Sequence, residues 1–179
     1  MILMHERRAF LGIAGAGALS LLLFGRPESA SAMRFAINRS PAECRHQLGP
    51  ERYAVLREAS TERPFSSPLL KEHRKGIFVC AGCANRLFSS ATKFESGTGW
   101  PSFWKPLDHA VVTRSDHSAM MSRTEVLCAR CGGHLGHVFD DGPKPTGLRY
   151  CMNGLALSFR PARGAQATIL SFPRLPGAA

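Results

Sequence analysis

The chain has 179 residues, 44% of them hydrophobic, and a formal net charge of +10. That size suits one domain with one real core. Seventeen glycines and twelve prolines argue against long helices and for a turn-rich, mainly β domain. The basic residues are scattered, with no dense run of Lys and Arg, so the charge speaks for solubility and a mild preference for acidic partners and not for a nucleic-acid module.

In chain order, residues 1–32 read as an export signal. A basic start is followed by an apolar run from Phe10 to Phe24, and Ala30-Ser31-Ala32 is a small-x-small cleavage site. The run is too short and weakly hydrophobic to span a bilayer well, so no stable membrane span is expected after processing. Arg7-Arg8 followed by Ala9-Phe10-Leu11 resembles a twin-arginine signal; an ordinary export signal or a short anchor is the alternative. The expected destination is outside the cytoplasm, in the periplasm. The signal carries three arginines and two glutamates, which leaves the remainder at +9.

Residues 33–49 read as an N-terminal lead-in, and 50–175 as the domain proper. "PERYAVLRE" predicts a short helix from Pro50 to Glu58, with proline in its first turn and Tyr53, Val55 and Leu56 on its apolar side. "STERPFSSP" ends it, and "LLKEHRKG" is a basic connector. Strand-like runs follow at Ile77–Val79, "HAVVTRSD", "TEVLCARC", "LSFRPAR" and "ATILSFPRL" (167–175). Residues 176–179 are expected to fray. No segment of helical period follows Glu72. The pattern predicts antiparallel sheets with long functional loops.

Cys80-x-x-Cys83 and Cys128-x-x-Cys131 carry the strongest spacing signal. Two intervening residues let a tight turn aim both sulfurs at one point, and two such turns supply a tetrahedral S₄ set suited to one Zn²⁺. Two disulfides or a redox-active pair are the rival readings, given an oxidising destination. A twin-arginine route moves folded proteins, which favours metal loaded before export.

Cys151 and Cys44 remain. In a strand, residues two apart share a face, so Arg149, Cys151 and Asn153 can point into one cleft. A nearby cation favours the thiolate that catalysis needs. A buried structural thiol, or a disulfide to Cys44, is the plain alternative. His134 and His137 lie just upstream in a glycine-rich stretch read as a loop. They add the imidazoles that pair with a nucleophilic thiol; the alternative is that His134 serves as a metal ligand.

"ATKFESGTGWPSFW", "CGGHLGHVFDDGPKPTGLRYCMNGLALSF" and the two Cys-x-x-Cys pairs together resemble methionine sulfoxide reductase B, from about Gly49 to Arg160. The resemblance implies a fold of two packed antiparallel sheets with peripheral short helices and a structural zinc site. It implies reduction of methionine R-sulfoxide in oxidised proteins. Cys151 matches the nucleophile that becomes a sulfenic acid. His134, His137 and Asn153 match the polar groups around the sulfoxide oxygen, and Arg149 and Asp141 match residues that brace the site. Trp100 matches the indole on the substrate methyl. Where many members carry a resolving cysteine, this chain has Thr98. Regeneration then falls to Cys44, or to an external thiol of thioredoxin type. A zinc-ribbon binding module and a metal-handling protein are the competing classes.

Overall fold

Ser40 starts the first element. Its hydroxyl accepts from the Glu43 N–H, and the Glu43 carboxylate accepts from the Ser40 N–H, a reciprocal cap with Pro41 in the first turn. In this computed structural model, which describes residues 33–118 and 121–162, helix α1 (Pro41–Glu58) therefore begins inside the segment read as a lead-in. Gly49, at φ +69°, breaks the helical ladder and Pro50 restarts it. The expected helix is thus the second limb, burying Tyr53, Val55 and Leu56, and the first limb buries Cys44. Ala59 closes α1 in the left-handed conformation. The expected basic connector contains a 3₁₀ turn at Pro68–Lys71. The export signal, the strand expected at 167–175 and residues 176–179 lie outside the described residues.

Among the described residues nine strands follow: β1 (Gly76–Cys80), β2 (Arg86–Ser89), β3 (Lys93–Phe94), β4 (Ser102–Phe103), β5 (Val111–Asp116), β6 (Arg123–Cys128), β7 (His134–Phe139), β8 (Arg149–Met152) and β9 (Leu157–Pro161). They form a three-stranded sheet, β2-β1-β9, and a six-stranded sheet, β3-β4-β8-β7-β6-β5. All their pairings are antiparallel. The core lies between the sheets: from the small one Phe78 meets Phe103 of the large one edge-on and Phe88 stacks on it, at 4.9 and 4.4 Å between ring centroids. All three side chains are fully buried, as are Leu87, Leu135 and Met152. The expected two-sheet β fold is what the structure has.

One expectation needs correction. His134 and His137 are not on a loop but on β7, inside the large sheet. The adjacent glycines suggested a loop; Gly132 does turn the chain, at φ +66°, but Gly136 sits in the strand. There its missing side chain lets β8 approach, since a Cβ would lie 2.1 Å from the Cys151 carbonyl oxygen.

The same strand carries a bulge. Glu125 pairs with His137 and Val126 with Gly136, but Leu127 pairs with His134. One extra residue in β7 is thereby absorbed. Histidines three apart would otherwise point to opposite faces; the bulge returns both to one face, with ring centroids 5.5 Å apart.

Candidate active site

Cross-strand register assembles the site. Cys151 on β8 lies opposite Ser102 on β4 and opposite His137 on β7. His137 lies opposite Glu125, and Glu125 opposite Arg114. Directly opposed residues share a face, so Ser102, Cys151, His137, Glu125 and Arg114 form one row across five strands. Arg149 is two residues before Cys151 on the same face. Asn153, just past the end of β8, is fully buried.

Each polar group in this row is held by another. His134 is buried, and its Nδ1 lies 2.6 Å from Glu125 Oε1. Glu125 also accepts from Arg114. Burial pushes the Glu125 carboxyl up, but the hydrogen bonds from Arg114 and His134 outweigh it and hold the group below the usual range. A carboxylate only accepts, which assigns the proton to His134 Nδ1. Burial lowers the pKa of His134, against the pull of Glu125, so the ring is neutral near pH 7 and its Nε2 is an acceptor. That Nε2 is itself buried without a hydrogen-bond partner. His137 Nε2 lies 2.8 Å from Asp116 Oδ2, which also accepts from Arg123 Nη2 at 2.8 Å. Hydrogen bonds from Ser118, then from His137 and Arg123, hold Asp116 well below the carboxylate range.

Arg149 is clamped by Asp141 through two bonds of 2.8 Å, Nε to Oδ1 and Nη2 to Oδ2, and lies over the Phe139 ring at 4.4 Å. The ion pair with Asp141 keeps the guanidinium charged, and the Cys151 sulfur adds to that effect. Cys151 itself is half-buried, and its Sγ is 3.7 Å from Thr98 Oγ1. From Thr98 a line of hydroxyls runs on through Ser96 (2.9 Å) to Ser102 (2.7 Å), and Ser102 donates to the Trp100 carbonyl. Trp100 is half-buried, with its indole N–H donating to the Glu62 carbonyl at 3.1 Å.

Cysteine spacing suggested a second cluster, and the fold brings it together. The sulfurs of Cys80, Cys83, Cys128 and Cys131 all lie within 4.8 Å of one another. Cys80–Cys131 is 3.8 Å and Cys83–Cys128 3.5 Å. Those separations are too long for a disulfide bond, and all six cysteines are free thiols. Four sulfurs at about 2.3 Å from one tetrahedral cation would stand about 3.8 Å apart, so the cradle fits a metal ion. Asn85 Nδ2 donates to Cys128 Sγ at 3.6 Å. His134 is not part of this cluster.

Cys44 is brought to that cluster and not to Cys151. It lines a small cavity with Ile37, Leu56, Gly82 and Cys131, and its thiol points to the Arg39 carbonyl at 3.9 Å. The neighbouring Arg39 and Gln47 both donate to the Gly82 carbonyl, tying this part of the chain to the first Cys-x-x-Cys turn.

The SelR domain model matches residues 48–161. The chain is 57% identical over 124 residues to the peptide methionine sulfoxide reductase MsrB of Bradyrhizobium diazoefficiens, a stretch covering 69% of this chain and 89% of that protein. It is 52% identical over 129 residues to the MsrB of Leptospira interrogans, covering 72% and 98%. Against the MsrB of Methanosarcina barkeri it is 53% identical over 126 residues, covering 70% and 89%. The chain belongs to the MsrB family. The span matched by the SelR domain begins in the first limb of α1 and ends with β9, so both sheets and both cysteine settings fall inside the MsrB domain.

Five MsrB site neighbours escaped the sequence reading: Glu62, Glu125, Asp116 and the hydroxyls of Ser96 and Ser102. Glu125 had a local signal, being an acid within the strand-like run "TEVLC". The others are brought in by register and by tertiary contact.

Proposed function

We propose that this chain reduces methionine R-sulfoxide in oxidised proteins to methionine, with Cys151 as its nucleophile. The observation that carries this reading is the row in which Cys151 faces His137, an imidazole whose far nitrogen is bound to a carboxylate. Preference for the R epimer is carried over from the family, since each sulfoxide epimer has its own reductase type.

Cys151, with the Arg149 guanidinium on the same face of β8, attacks the sulfoxide sulfur as its thiolate. A proton must reach the sulfoxide oxygen as its charge develops. His137 is the group suited to supply it, because the Asp116 carboxylate balances the ring while it carries two protons. His134 is kept neutral with its proton turned toward Glu125, so it orients and accepts. Asn153 adds its amide to the surround of the oxygen, and Trp100 receives the substrate methyl. The methionine sulfur–oxygen bond breaks, the oxygen passes to Cys151 Sγ, the Sγ–methionine sulfur bond formed in the attack breaks in turn, and methionine leaves, reduced by two electrons. Cys151 is oxidised by the same two electrons and carries the oxygen as a sulfenic acid.

A thioredoxin-type dithiol closes the cycle. Its first thiol condenses with the sulfenic acid and releases water, and its second thiol resolves the mixed disulfide. Cys44 is the other candidate resolver. Its position against Cys131 favours the external thiol, because a Cys44–Cys151 bond requires α1 to leave the metal turns. The four-cysteine cradle holds one structural Zn²⁺, the ion whose thiolate geometry it matches. Export by the twin-arginine route, with the enzyme acting in the periplasm, is part of the same proposal; it is supported by Arg7-Arg8 and the Ala30-Ser31-Ala32 site and is tested by N-terminal sequencing of exported protein.

The deciding experiment supplies each methionine sulfoxide epimer with dithiothreitol and compares wild type with Cys151→Ser. Turnover of the R epimer by wild type alone supports the proposal. Equal turnover by a metal-replete Cys151→Ser protein refutes it.

A further inference from the structure

Glu62 is a buried carboxylate that the proposed chemistry does not use. It sits in the loop after α1, ninety-one residues from Asn153 in sequence, and every polar group it has is engaged at the edge of the site. Its backbone N–H donates to Asn153 Oδ1 at 3.0 Å. Its backbone carbonyl accepts from Trp100 Nε1 at 3.1 Å. Its carboxylate accepts from the N–H groups of Gly154 and, at 2.9 Å, Leu155, the two residues that follow Asn153. One residue thus touches both the amide and the indole of the site and clamps the turn that carries the amide. Three residues on, the Phe65 N–H donates to the Gly99 carbonyl at 2.8 Å, so the loop is also stitched to the turn leading into Trp100.

The arrangement leaves little freedom elsewhere. Asn153 Nδ2 donates to the Leu135 carbonyl at 3.2 Å, so the amide is fixed at both ends and one Nδ2–H remains for a ligand. Burial pushes the Glu62 carboxyl up, and the two backbone donors that lower it only partly offset that. A buried polar group must be hydrogen-bonded, and the two N–H bonds are what the carboxyl obtains there.

We propose that Glu62 is a positioning residue for sulfoxide reduction: its carboxylate anchors the Asn153–Leu155 turn so that its own main chain sets Asn153 and Trp100 at fixed spacing across the substrate. This rests on the functional reading above. Misplacing Trp100 raises KM for the sulfoxide, and misplacing Asn153 lowers kcat, so a Glu62 change moves both.

The test uses Glu62→Gln, which keeps the side-chain volume but replaces one acceptor oxygen with a donor. Expected is a loss of kcat/KM on methionine R-sulfoxide of about 10- to 100-fold, the size associated with leaving a buried backbone donor unpaired, divided between KM and kcat. In a double-mutant cycle with Asn153→Ala the loss is expected to shrink, because Glu62 acts partly through that amide. The chain has two tryptophans, so a Trp104→Phe background leaves Trp100 as the sole emitter, and Glu62→Gln should shift its emission. This optical readout needs no turnover, so it stands even if wild type fails on R-sulfoxide, which would instead refute the functional reading. A folded Glu62→Gln protein with kcat/KM within twofold of wild type and unshifted Trp100 emission overturns the proposal, as does full additivity with Asn153→Ala. If Glu62→Gln does not fold, Glu62→Asp is measured in the same way; if neither folds, Glu62 is a folding residue only and the proposal fails.

Discussion

Replacing Gly136 with alanine tests the link between sheet register and nucleophile. The new Cβ would lie 2.1 Å from the Cys151 carbonyl oxygen and 3.0 Å from Met152 Cα, both backbone atoms with no flexible end to swing away. A tolerable carbon–oxygen contact is about 3.3 Å, so β7 and β8 must part by roughly 1 Å. Overpacking of this kind costs about 1–3 kcal/mol. The φ of +154° adds a further strain of about 1–3 kcal/mol for a residue with a side chain. The sum is a large share of a stability of about 5–15 kcal/mol. Cys151 sits on the displaced strand, and a misplacement of about 1 Å costs roughly 100-fold in rate. Steady-state reduction of methionine R-sulfoxide, with urea unfolding in parallel, measures both. Gly49→Ala is the control: it has a φ of +69° but nothing within 4 Å of the added carbon. It will lose about 1–2 kcal/mol and no activity. A Gly136→Ala enzyme with kcat/KM within twofold of wild type refutes the claim that this close approach sets the sulfur's position.

Metal analysis of purified protein will find near-stoichiometric zinc, and Cys128→Ser or prolonged chelation will abolish cooperative unfolding, because thiolate-bound zinc contributes on the order of 10 kcal/mol to folding. Cys44→Ser will keep wild-type turnover with a thioredoxin-type donor; a loss above tenfold would reinstate Cys44 as the resolver. Stability will fall as pH drops below about 6.5. The unfolded chain takes up a proton at His134 that the buried neutral ring refuses, so the unfolded state binds more protons there and stability rises with pH across that window. The lowered pKa of Glu125 gives the same sign at more acid pH. His134→Gln will flatten the upper part of that slope in urea midpoints; an unchanged slope would show that the ring is not buried neutral.

What the sequence made legible was whatever depends on short spacing. The two Cys-x-x-Cys turns, the strand runs at 77–79, 111–116, 123–128 and 157–161, and the grouping of Arg149 with Cys151 all rest on neighbours a few residues apart. β7 was hidden because glycines and histidines depress strand propensity; it is a strand because both its edges are paired. The first limb of α1 did carry a signal, the reciprocal cap of Ser40 and Glu43, which the apolar pattern alone does not reveal. Asp116 and Glu62 reach the site through register and through a contact across ninety residues, and no local pattern encodes either. Cys44 illustrates the same limit: its assignment as a partner for Cys151 followed from counting thiols, and its place in one cavity with Cys131 follows from how α1 lies on the Cys-x-x-Cys turns.

β8 is an interior strand, hydrogen-bonded to β4 on one side and to β7 on the other. The sulfur proposed as the nucleophile is consequently mounted on backbone bonded along both edges, and it cannot travel toward a recessed target. Reach must come from the client: oxidised residues in slack or locally melted stretches are open to repair, whereas those locked in a tight interior wait until their host loosens. The enzyme thereby samples damage in proportion to its clients' own breathing.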